Sequence, residues 1–118
     1  MKKLLPIMMF VLLAFAGCNR QPATYQMAEN PSEMVANAEK FVDQVSKQSK
    51  HYSDEDWQEA VQQFVAMSKN FVEHQQRMTN EEIMRFDNAR LQFMSAVETN
   101  GSIEIAKQVK EAYGMVMQ

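Results

Sequence analysis

Residues 53–78, SDEDWQEAVQQFVAMSKNFVEHQQRM, decide the fold. Trp57, Phe64, Phe71 and Met78 stand seven apart, and Ala60, Met67 and His74 fill the matching second positions. An α-helix turns once in about 3.6 residues, so this spacing puts all seven on one face. Val61, Val65 and Val72 flank that seam. Ser53 can accept from the first free N–H groups, and Asp54, Glu55 and Asp56 suit the positive end of the helix dipole. The pattern predicts a helix over about 54–78 that forms the central packing element.

The chain on either side repeats the same grammar. Upstream, Asn30-Pro31-Ser32-Glu33 is a helix start, with Asn30 as cap, Pro31 at the first helical position and Glu33 placed to reach back. Met34, Val35, Ala38, Phe41, Val42 and Val45 then recur at helical spacing, which predicts a helix over about 31–49. Downstream, Thr79-Asn80-Glu81-Glu82 is a capping box. Ile83, Phe86, Phe93 and Val97 make the next seam, widened by Met84, Leu91 and Met94, and Asn100-Gly101 stops it. Ser102 opens a shorter helix carrying Ala106, Val109, Tyr113 and Val116, with Gly114 predicting a frayed end. No run alternates with period two, and the whole chain has only three Gly and three Pro. The class is therefore all-α. The architecture expected for 31–118 is an up-and-down bundle of three long helices plus a shorter C-terminal one, neighbours antiparallel.

The first thirty residues are of another kind. Lys2 and Lys3 precede an apolar run, Leu4 to Ala16, broken only by Pro6. That run is about 13 residues long, within the ~7–15 of an export signal and short of the ~20 that span a bilayer. It ends in Phe15-Ala16-Gly17-Cys18, and Cys18 is the only cysteine. These features resemble a bacterial lipoprotein precursor, with Phe15 where that pattern most often has Leu. The resemblance implies that residues 1–17 are a signal peptide removed before Cys18. It implies a diacylglycerol thioether on Cys18, usually with a third acyl chain on its amine, and so a membrane partner reached through lipid. Asn19, Arg20 and Gln21 then point, by the same resemblance, to the outer membrane facing the periplasm. Asn19 to Glu29 is polar and contains Pro22, so residues 18–30 read as the lipidated Cys and a flexible tether. Fully extended, ~12 residues reach ~40 Å. With Cys18 acylated the chain has no disulfide and must fold by packing alone.

At Tyr52-Ser53-Asp54-Glu55-Asp56-Trp57 and Thr79-Asn80-Glu81-Glu82 the chain also resembles an uncharacterised helical domain of small Bacteroidota-type lipoproteins, over roughly residues 32–113. That likeness implies a fold and an address, and no activity.

Chemistry-bearing groups are sparse. The net charge is −3, and loss of Lys2 and Lys3 makes the remainder more acidic by two. No basic block is left for nucleic acid. His51 and His74 lie twenty-three residues apart. His74 has Asn70 and Met78 four residues away, and His51 has Lys47 and Glu55, a single His–Glu pair of the kind common by chance, so no metal site is expected. Met is abundant, yet Met115-x-Met117 is the one close pair after the leader, and seam Met is a flexible core filler. No nucleophile–base spacing or phosphate-binding glycine loop appears. The sequence thus offers no catalytic residue, metal site or cofactor, and points away from an enzyme.

One stretch invites a partner. Met84, Leu91 and Met94 lie beside the third seam, and Arg90 falls between Phe86 and Phe93. Either the last helix closes over them as core, with Arg90 snorkelling to a carboxylate, or they leave an apolar groove with a cation in it. The leading functional reading is a non-enzymatic, membrane-anchored envelope lipoprotein with a helical interaction domain and a protein partner. The alternative is a periplasmic chaperone or stress sensor that binds unfolded chains. Met78-Thr79-Asn80-Glu81-Glu82 distantly resembles the Leu-Thr-x-x-Gln motif of small helical chaperones of that compartment.

Overall fold

The computed structural model describes residues 23–117; the leader, Cys18 and the start of the tether lie outside the described residues. Four α-helices carry the described chain: α1 Pro31–Gln48, α2 Asp54–His74, α3 Asn80–Asn100 and α4 Ile103–Met117. Short 3-10 turns, Ser49–His51 and Gln75–Arg77, follow α1 and α2. The described residues contain no strand.

Each start is set by the residues that the sequence marks for it. Glu33 N donates to Asn30 Oδ1 at 2.8 Å. Ser53 and Asp56 exchange both bonds of a capping box at 3.1 and 3.0 Å, and Thr79 and Glu82 do the same at 3.1 and 2.9 Å. Ile105 N donates to Ser102 Oγ at 3.1 Å. These bonds satisfy N–H groups that a helix leaves free, each start being worth about 1 kcal/mol. Two ends differ from expectation. α2 stops at His74, and Met78 is extended (ψ 143°), though it still packs on the core. α4 runs through Gly114 to Met117 instead of fraying there. Gly101 does stop α3, but at φ −88°, which any residue adopts. Its role is close approach: its N–H reaches Val97 O at 2.8 Å, and a Cβ would meet that same oxygen at 2.8 Å.

The seams of α1 and α2 are buried as the spacing dictates, except for Met78 beyond the end of α2. On α3, Phe86, Phe93 and Val97 are buried but Ile83 is only half-buried. All six apolar positions of α1 are at 0 % exposure, and Trp57, Ala60, Phe64, Met67 and Phe71 are buried on α2. Phe64 stacks on Phe93 (centroids 4.4 Å) and Phe71 on Phe86 (4.3 Å). As the α2 number rises by seven the α3 number falls by seven, so α2 and α3 are antiparallel. Phe41 joins the layer by stacking on Phe93 at 5.8 Å, and Trp57 meets Phe93 edge-on at 6.5 Å. Each buried ring contributes about 1.5–3 kcal/mol by leaving water, with somewhat more from ring pairing.

Neighbourhood departs from the simple expectation. The closest-packed pairs are α1 with α3 and α2 with α4, not helices consecutive in the chain. Both pairs are parallel. Arg85 binds Glu39 through two bonds (3.0 and 2.6 Å), Gln92 donates to Ser46 (3.2 Å) and Asn100 to Ser49 (2.9 Å), so numbers rise together along α1 and α3. Ala89 and Ala96 lie on that same stripe of α3 and are buried at 3 and 7 % exposure. Small residues let two backbones approach, whereas the Phe stacks hold α2 and α3 further apart. On α4, Ile105 is buried beside Val109, whereas Ala106, Tyr113 and Val116 are half-buried.

Candidate functional site

The α3 strip divides between the two readings. Met94 is half-buried and packed on the core. Arg90 pairs with Asp87 at 3.4 Å and lies over the Tyr113 ring of α4 at 5.0 Å from its centroid. It snorkels to a carboxylate and ties α3 to α4, so it is not a cation awaiting a ligand. Met84 and Leu91 remain 62 and 54 % exposed, one heptad apart on the outer stripe of α3. α4 therefore closes half of the strip.

A second site was not expected from the sequence. The segment read as free tether is seated from Ala23 onward. Ala23, Tyr25 and Ala28 are buried, while Thr24, Gln26 and Met27 point out. The segment is non-helical and lies between α1 and α2, held almost wholly by side chains that read its main chain. Tyr25 N donates to Gln63 Oε1 at 2.8 Å. Asn70 pairs with both polar groups of Ala28: its Oδ1 accepts from Ala28 N at 2.9 Å and its Nδ2 donates to Ala28 O at 3.1 Å. The Tyr25 hydroxyl donates to Asn70 Oδ1 at 2.5 Å, and Asn70 Nδ2 also meets Glu73 at 3.2 Å. From α1, Asn37 donates to Gln26 O at 3.0 Å. Tyr25 meets Phe41 edge-on at 6.4 Å.

His74 completes the clasp. Its Nε2 lies 2.9 Å from Ala28 O, and its Nδ1 faces the guanidinium of Arg77. A carbonyl can only accept and a guanidinium can only donate. The arrangement therefore requires the tautomer with the proton on Nε2. His74 is satisfied as a seam residue, but by a segment far away in sequence. Burial, with the Glu73 charge second, pushes the Tyr25 hydroxyl well above its ordinary pKa, so it stays protonated and donating. Gln63 and Asn70 form a stripe beside the apolar seam of α2, and His74 closes the end of that seam next to it. A bidentate amide on the N–H and C=O of one residue fixes register without reading a side chain. The half-buried pattern small-x-Tyr-x-x-small supplies the rest.

Among the described residues no group of three or more His, Cys, Asp or Glu could hold a metal ion. No described helix is long and apolar enough to cross a membrane. Residues 45–117 match a family model described as a domain of unknown function, DUF6565. The chain belongs to the DUF6565 family. No curated protein and no solved structure matches the chain. The DUF6565 match takes in the receiving side of the clasp, Gln63, Asn70 and His74, and all of α2, α3 and α4. The seated segment and most of α1 precede it.

Proposed function

We propose that the protein is an envelope lipoprotein anchored through Cys18, and that its helical domain is a non-enzymatic interaction module facing the periplasm from the outer membrane. The observation that carries this reading is the leader: Lys2-Lys3, a short apolar run, then Phe15-Ala16-Gly17-Cys18 immediately ahead of a helical domain. Two or three acyl chains, at ~0.8 kcal/mol per buried CH₂, hold a domain on a membrane almost permanently. The seated segment alters the geometry of that anchoring. Four residues separate Cys18 from the docked Ala23, so the chain can reach at most ~14 Å there, in place of ~40 Å. The domain is then held close to the lipid surface. Metabolic labelling with an alkyne fatty acid should tag the wild-type chain and leave Cys18→Ser untagged; a tagged mutant overturns the anchor.

The partner-facing surface in this reading is the outer stripe of α3 at Met84 and Leu91, since Met repacks against differing shapes. Replacing both by Ser should change stability by less than ~0.5 kcal/mol, as for ordinary surface sites. It should also remove the partner recovered from detergent-solubilised envelopes. A large fall in melting temperature would assign the two residues to the core. The rival, a cradle for unfolded chains, needs a broad apolar face. The exposed large apolar residues are instead spread over Met27, Val72, Met84, Leu91, Ile103 and Met115. Suppression of client aggregation in a light-scattering assay would favour that rival.

A further inference from the structure

The clasp binds an extended peptide that happens to belong to its own chain. Its bonds to Ala28 read a backbone N–H and C=O, and those to Tyr25 read one N–H and one phenol. The segment adds little to the central aromatic layer: its Tyr25 touches Phe41 at the edge, whereas Phe41 and Phe64 both stack on Phe93. The cap of α1 is also independent of it, because Asn30 serves Glu33 whichever way the preceding chain leaves. The joint between segment and helix is Glu29-Asn30, a bend with Asn30 already extended (φ −137°, ψ 156°).

We propose that the α1–α2 groove is a receptor for an extended segment, and that its occupant in trans is residues 23–28 of a second copy of this chain. A second copy carries Ala23-x-Tyr25-x-x-Ala28 in the same register. Every bond in the groove is then conserved, and only the course of Glu29-Asn30 changes. This is the geometry in which an element can be exchanged between protomers at low cost. The chain's own segment competes at an effective concentration on the order of 1 mM. The wild-type domain therefore closes on itself in dilute solution, and exchange emerges at high chain density or when one half of the clasp is disabled.

Two variants separate the halves. Tyr25→Ala keeps the groove and weakens the segment; Asn70→Ala keeps the segment and weakens the groove. An isotope-labelled Tyr25→Ala chain is titrated with unlabelled Asn70→Ala chain to ~1 mM, the concentration at which cis and trans compete. The Asn70 side-chain amide and His74 ring signals of the labelled chain should move saturably toward their wild-type positions. The same chain titrated with unlabelled Tyr25→Ala should show at least tenfold weaker movement. Should Asn70→Ala lose its helical circular dichroism, Asn70→Asp replaces it, keeping the shape and removing the donor. Unmoved signals with both chains helical overturn the proposal. Movement with a synthetic peptide of residues 21–30 but not with the second chain overturns it too, since the groove would then exclude the segment when joined to another domain.

Discussion

α2 carries two stripes that do opposite things with the same period. Trp57, Phe64 and Phe71 bury rings against α3 and its neighbours, while Gln63 and Asn70, also seven apart, hold a peptide that lies far off in sequence. The apolar stripe works by area and is indifferent to the identity of its neighbours. The polar stripe works by direction: each oxygen and N–H must meet one partner at one angle. The first kind of site tolerates repacking. The second is all or nothing, because a buried amide without its partner costs more than the bond gains.

That contrast sets the order of effects. Trp57, buried to 2 % exposure, should be the costliest loss on α2. Trp57→Ala should destabilise by ~3–5 kcal/mol in chemical denaturation, and native Trp57 emission should be blue-shifted; emission typical of exposed indole would remove the seam from the account. Among the described residues its Nε1 has no hydrogen-bond partner, so its contribution is by packing. On the polar stripe, Asn70→Ala should cost about 1–3 kcal/mol, the range for orphaning buried partners. The helix content should be unchanged, because the bonds it loses run to the 23–28 segment and to Glu73.

Tyr25→Phe isolates one bond and should cost about 1 kcal/mol at neutral pH. It also predicts a pH signature. Folding raises the pKa of the Tyr25 hydroxyl through burial and the Glu73 charge. The folded state thus favours the protonated phenol. Its contribution is complete below the unfolded value of ~10 and is lost as pH rises beyond that. The stability gap between wild type and Tyr25→Phe should therefore shrink on going from pH ~8 to pH ~11. A constant gap would mean that the phenol is not buried in solution.

What the sequence revealed follows the same division. Helix starts were legible because caps are local: Asn30, Ser53, Thr79 and Ser102 each act within three residues. The buried faces of α1 and α2 were legible because burial is periodic. The end of α2 was not, since Met78 keeps the heptad position after the helix has stopped. The close α1–α3 pairing was missed because its signal is two alanines, Ala89 and Ala96, among larger residues that draw the eye. For the α3 strip the sequence left groove and core both open; the structure divides it, with Met84 and Leu91 exposed, Met94 packed on the core and Arg90 tied to Tyr113 of α4. The clasp was missed for a deeper reason. Main-chain recognition leaves no complementary pattern in the segment recognised. The available hint was Tyr25, alone between small residues in a polar stretch.

The central claim is that residues 23–28 belong to the folded domain. Amide hydrogen exchange at Tyr25 and Ala28 tests it most directly, since their N–H groups are bound by Gln63 and Asn70. Both amides should be protected relative to unstructured chain in the wild type, and Ala28 should lose that protection in Asn70→Ala while α1 and α3 keep theirs. Exchange of Tyr25 and Ala28 at the unstructured rate in the wild type would contradict the account and return the segment to a free tether.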